Sequence, residues 1–172
     1  MTQRILIAGI GNIFFGDDAF GVEVVRELAQ RAWPEGVRVV DFGIRSYDLA
    51  FALTEGYEAL ILVDAVPRGE PPGTTYLMVI EVGELPKPES ETPDAHSLNP
   101  FSVLQMAKAM GDVSGKLFLV GCEPATLEAE DGQLKLSGPV QAAIPQAVAM
   151  IEELISDLRG SKEKTKACLA PA

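Results

Sequence analysis

The chain has little of what several classes of protein need. Its 172 residues contain two cysteines, Cys122 and Cys168, one histidine, and 14 basic residues against 25 acidic ones. Two cysteines, one closing an apolar run and one in a polar tail, argue against a structural disulfide and for a reducing compartment. A net charge of −11 with a pI near 4.5 repels phosphate backbones and anionic lipid, so a nucleic-acid or membrane-surface role is excluded as an expectation. No apolar run approaches the roughly 20 residues needed to span a bilayer. The apolar stretch Ile5 to Ile10 is too short for a secretory leader and runs straight into Gly-Asn and Asp-Asp. The chain reads as cytoplasmic.

What is present is ordinary globular material: 47% hydrophobic and 23% charged residues, enough for one domain with a real core and without disulfides or structural metal. Four compact apolar segments, Arg4 to Ile10, Val37 to Phe42, Ala59 to Val66 and Lys116 to Gly121, alternate with helix candidates at 18–32, 46–55 and 100–110. That alternation implies parallel pairing. Ser46 is placed to cap the second helix, and Asn99 with Pro100 supplies a cap and a first-turn proline for the third. A fifth strand, Thr74 to Val82, follows the turn 67–73, short enough for an antiparallel hairpin with the strand before it. The expected fold is α/β, a three-layer sandwich with a twisted, mostly parallel five-stranded sheet flanked by helices. A last helix spans Val140 to Leu158, with Pro145 bending or restarting its first turns. Residues 1–158 then form a single domain, and 159–172, which lose apolar periodicity, form a disordered tail. The Pro-, Glu-, Ser- and Thr-rich stretch Glu84 to Pro93 reads as a mobile loop.

The densest local signal is residues 9–21, Gly-Ile-Gly-Asn-Ile-Phe-Phe-Gly-Asp-Asp-Ala-Phe-Gly. Gly9 and Gly11 let the backbone turn sharply after the first strand. From Asp18 onward, Ala19, Val22, Val25, Ala29 and Ala32 form one stripe of an amphipathic helix, with Asp17 suited to cap it. Strand, Gly-x-Gly and helix suggest a dinucleotide site, but the spacing fails. Phe14 stands where the third glycine belongs, and two aspartates crowd the helix end a pyrophosphate would need.

In an open α/β sheet the site lies beyond the carboxyl ends of the strands. Asp17 and Asp18 follow the first strand, Asp41 closes the second, Asp64 the third, and Cys122 and Glu123 the last. Asp64 directly follows Leu60 to Val63, where an unpaired charge is costly, so it is either a turn residue before Pro67 or a ligand for metal or water. His96 ends a long loop just before Asn99. As the lone histidine it reads equally as an ordinary side chain or a ligand. Cys122 reads as a small buried residue after Val120 and Gly121, and no second histidine exists to activate it as a nucleophile.

The ordered set formed by the Gly-x-Gly-Asn turn with its two acids, Leu60-Ile61-Leu62-Val63-Asp64-Ala65, Asp94-Ala95-His96-Ser97-Leu98 and Val120-Gly121-Cys122-Glu123-Pro124 resembles the [NiFe]-hydrogenase maturation endopeptidases. The resemblance covers most of residues 4–158. It implies an endopeptidase that removes the C-terminal extension of a [NiFe]-hydrogenase large-subunit precursor after nickel insertion. The resemblance also implies that Asp18, Asp64 and His96 are ligands to nickel carried by the precursor, with no organic cofactor, and that Asp18 or Asp64 activates water. Family members often have glutamate where Asp18 stands, and Gly43-Ile44-Arg45-Ser46 departs from the family's glycine-rich form. The same three ligands would equally serve a nickel-sensing chaperone that binds the precursor without cutting it.

Overall fold

The computed structural model describes residues 3–81, 83, 99–127 and 135–168. Five strands form one sheet: β1 (Ile5–Ile10), β2 (Val37–Gly43), β3 (Ala59–Ala65), β4 (Thr75–Ile80) and β5 (Lys116–Cys122). Their order is β2-β1-β3-β5-β4, all parallel except β4, which runs antiparallel to β5. The helices are α1 (Phe20–Leu28), α2 (Ser46–Leu53), α3 (Pro100–Met110) and α4 (Gly138–Cys168), and a 3-10 turn at Gly16–Ala19 precedes α1. Expected α/β architecture and sheet composition are therefore as observed.

The central strands are continuous apolar runs because both of their faces are covered. In β1, Ile5 and Ile7 point into a core with α1 and α4, where Val25, Leu28, Ala147 and Ile151 pack. Leu6, Ala8 and Ile10 point the other way, into a second core with α2 and α3, among Leu49, Leu53, Val103 and Leu104. Ile61 and Val63 of β3 join the first core, Leu60 and Leu62 the second. The period of two divides each strand between two layers.

Gly21 decides how closely α1 lies on the sheet. A Cβ there would stand 2.1 Å from the Val63 carbonyl oxygen and 2.3 Å from that of Ile10. Both atoms are backbone, so no side chain is able to yield. Gly21→Ala gains about 1 kcal/mol of helix propensity, but overpacking commonly costs about 1–3 kcal/mol and more where backbone must shift. Net destabilisation is expected, read as a lower urea midpoint at unchanged m-value. An unchanged or higher midpoint would show that α1 has room to move.

Three expectations are corrected. First, β4 does not form a hairpin with β3. It pairs with β5, Thr75 opposite Cys122 and Ile80 opposite Leu117, while β5 inserts beside β3. The cause is Glu123, buried at 5% exposure just after β5. Its carboxylate accepts the backbone N–H groups of Arg68 at 2.6 Å and Gly69 at 3.3 Å, and its carbonyl accepts that of Gly73 at 2.8 Å. These bonds carry the 67–73 turn over the end of β5 to its far side. Second, Ser46 begins α2 without a side-chain cap bond, and Arg45 occupies the cap position. Asn99 does cap α3, accepting from Phe101 N–H at 2.9 Å, with Pro100 in the first turn. Third, α4 continues through Pro145 and past Leu158 to Cys168. Its buried stripe ends near Ile155 and Leu158, but Lys, Glu and Ala are good helix formers, and an established helix extends without needing a buried face. Residues 169–172 and the stretch Glu84 to Pro93 lie outside the described residues.

Candidate active site

Beyond the carboxyl end of β1 the chain folds back on itself. Gly11 has φ +136, and a Cβ on it would fall 1.8 Å from the Asp18 carbonyl oxygen. Asn12 closes the turn in both directions. Its side chain accepts from Phe14 N–H at 2.9 Å, and its own N–H donates to Asp18 Oδ2 at 2.7 Å. Asp18 is half-buried, and burial raises its pKa against the lowering effect of the Asn12 hydrogen bond.

Asp64 ends β3 at 2% exposure. Among the described residues its buried Oδ1 has no hydrogen-bond partner, a costly state for a carboxylate oxygen. Burial pushes its pKa well above the ordinary carboxylate value, the nearby Asp18 charge adds to this, and a backbone hydrogen bond from Ala65 offsets part of it. The turn after β1 and the end of β3 thus place Asp18 near enough to Asp64 for their charges to interact. His96 lies outside the described residues. Among the described residues no three His, Cys, Asp or Glu side chains are grouped to hold a metal ion; the two carboxylates make a pair, hard oxygen donors suited to sharing a divalent ion with further ligands.

Tyr76 walls the site on the β4 side. Its ring lies against Gly121, where a Cβ would meet ring atoms at 2.3 Å, and its hydroxyl donates to the Val66 carbonyl at 2.8 Å. The Arg68 guanidinium sits 4.7 Å from the ring centroid. Burial pushes the Tyr76 pKa to about 12, with Arg68 opposing and the charges of Glu123 and Asp64 adding. Cys122 is fully buried. Its thiol is pushed up to about 12, by burial first and then by Asp17 and Glu123, so a thiolate ligand or nucleophile is disfavoured there.

On the other side of the turn lies a groove of about 310 Å³, lined among others by Asn12, Phe14, Arg26, Asp41 and Ile44. Asp41 pairs with Arg26 at 3.7 Å and is not part of the carboxylate pair. Ile13, Phe14, Phe15 and Ile44 stand exposed around this end of the molecule.

A family model described as hydrogenase maturation protease matches residues 22–154. The chain belongs to the hydrogenase maturation protease family. It is 34% identical over 161 residues to the hydrogenase 2 maturation protease of Escherichia coli K12, covering 92% of this chain and 93% of that one. The coenzyme F420 hydrogenase subunit delta of Methanothermobacter thermautotrophicus is 34% identical over 155 residues, at 86% and 92% coverage. The solved structure of the hydrogenase maturating endopeptidase HybD from E. coli superposes with a TM-score of 0.70 at 29% identity, covering 92% of this chain and 94% of that one. Hydrogenase maturation proteases are peptidases, and this chain shares their fold.

For a hydrogenase maturation protease the two adjacent aspartates divide sharply. Asp17 does not cap α1; that helix starts at Phe20 without any side-chain cap. It is fully buried and accepts from Ser137 N–H on Oδ1 at 2.6 Å, and on Oδ2 from Ala125 N–H at 2.7 Å, Ser137 Oγ–H at 2.9 Å and Thr126 N–H at 3.3 Å. Both oxygens are engaged by these bonds, in a side chain with no exposed surface. This role of Asp17, and those of Tyr76 as wall and Glu123 as anchor, have no local sequence signature.

Proposed function

We propose that this protein is an endopeptidase that removes the C-terminal extension of a [NiFe]-hydrogenase large-subunit precursor after nickel insertion, recognising the precursor's nickel through Asp18, Asp64 and His96. The observation that carries the reading is the carboxylate pair at the ends of β1 and β3, with Asp64 Oδ1 buried and without a partner among the described residues. A buried acceptor left open in the free protein suits a ligand that arrives with the substrate. Membership of a peptidase family supports proteolysis over binding alone. The exposed apolar side chains around the turn suit a protein substrate better than a small molecule. Nickel belongs to the substrate as its cargo, and no organic cofactor is involved. No described helix is long and apolar enough to cross a membrane, and the buried free thiol of Cys122 suits a reducing compartment. Accordingly we place the reaction in the cytoplasm.

In this aspartyl-type chemistry a carboxylate takes a proton from water as its oxygen attacks the scissile carbonyl carbon. The same proton then goes to the leaving amine as the C–N bond breaks. A raised pKa makes Asp64 the stronger base of the two, closer to the working pH.

The test is incubation with nickel-loaded precursor and measurement of the product mass. One cut near the C-terminus is expected for wild type and none for Asp18→Ala or His96→Ala, each with circular dichroism like wild type. Titration calorimetry with cadmium checks the shared site. Equal affinity in wild type and both variants would remove the three-residue recognition site, and an uncut precursor that nevertheless binds would favour the chaperone reading.

A further inference from the structure

We infer that Asp17 is a positioning residue, whose buried carboxylate locks the 3-10 turn so that Asp18 is held against Asp64. The inference rests on the proposed function, its cadmium arm on the shared metal site and its kinetic arm on proteolysis.

Asp17 and Asp18 are consecutive in the turn Gly16–Ala19. Three residues per turn place successive side chains about 120° apart, so fixing one direction fixes the other. Asp17 points inward, to four donors that lie 108 to 120 residues further along the chain. Two of those donors follow β5, and the other two belong to Ser137, the residue before α4. The carboxylate thus ties the turn to two separate elements of the domain. Charge-assisted bonds to backbone N–H groups are the strong kind, and a carboxylate at the start of α4 is also favoured by the helix dipole.

A lock is needed because the Asp18 carboxylate has little else to hold it: among the described residues it accepts one hydrogen bond, from Asn12 N–H at 2.7 Å. Without Asp17 the turn is free to swing outward and separate the pair. Sites that must present a costly geometry before the ligand arrives depend on such supporting bonds.

The experiment compares wild type, Asp17→Asn and Ser137→Ala. The first replaces half the acceptor by an amide N–H₂ that faces N–H donors; the second removes one anchor and leaves the Asp17 charge in place. Three quantities are measured well below each variant's melting temperature: cadmium affinity by calorimetry, and kcat and KM on nickel-loaded precursor. We expect cadmium affinity and kcat to fall at least 10-fold in Asp17→Asn and about 3-fold in Ser137→Ala, relative to wild type. Should Asp17→Asn fail to fold, Ser137→Ala alone decides.

Lowered melting temperature with unchanged cadmium affinity in the folded variants would make Asp17 merely structural and overturn the inference. So would a loss confined to Asp17→Asn, which would mark long-range charge as the cause. If wild type cuts no precursor, the protease reading fails, while the cadmium measurements still judge the lock.

Discussion

Asp64→Asn is expected to raise the melting temperature at neutral pH while lowering cleavage of nickel-loaded precursor by about 10²–10⁴-fold, the usual contribution of a general base. The two effects have one cause. Asp64 is 2% exposed with an orphaned oxygen, and its pKa is driven up mainly by burial. A group whose folded-state pKa is raised binds its proton more tightly in the folded chain. Its contribution to stability is full below the unfolded value, near 3.8, and is lost as pH rises through the folded value. At neutral pH the wild type therefore carries a penalty that an uncharged amide escapes. An unsatisfied buried group costs about 1–3 kcal/mol, and each kcal/mol moves the melting temperature of a domain this size by about 2–4 °C. Melting curves from pH 4 to pH 8 should show the variant's advantage growing with pH. Asp18, raised in the same direction, leaves a shallower slope in the variant. A variant that melts below wild type by the same margin at pH 4 and pH 8 would show that the Asp64 charge is not what the fold resists.

The trade between stability and activity also explains which parts of this protein its sequence reveals. Strands β1, β3 and β5 are legible because each must bury both faces, so their apolar runs are unbroken. Asp64 is legible for the opposite reason, as a charge where the run should continue. The partner of β4 is not legible, because it is set by Glu123, which takes the N–H groups of Arg68 and Gly69 across more than fifty residues. Asp17 is misread for a related cause. Its place before an amphipathic stripe fits a local helix cap, and a window of a few residues contains nothing to announce donors at Ala125 and Ser137. The helix past Leu158 escapes a reading based on hydrophobic periodicity, since its extension depends on propensity and not on burial. Local patterns disclose what neighbouring residues decide; side chains committed to distant backbone need the fold.

Cleavage is expected to require nickel already bound to the precursor, and metal added to the protease alone should not replace it. Asp18 and Asp64 form a pair, and no third His, Cys, Asp or Glu joins them among the described residues. With His96 the proposed set reaches two oxygens and one imidazole, which leaves positions on a divalent ion for ligands that the precursor brings. The two carboxylates oppose each other in the free protein, so a cation arriving between them relieves that repulsion and draws the adjoining peptide to a water that a carboxylate activates. Holding reactants in that geometry is worth orders of magnitude in rate. A resident hydrolytic metal would instead be bound before substrate and be removed by chelators. Protease treated with a chelator and then desalted should therefore cut nickel-loaded precursor at full rate, and protease preincubated with nickel and desalted should leave nickel-free precursor whole. Mass spectrometry of the precursor distinguishes the two cases. Cleavage of nickel-free precursor, or loss of cleavage on stripping the protease that returns when metal is restored to it, would sink the substrate-borne-metal mechanism and put the ion in the enzyme.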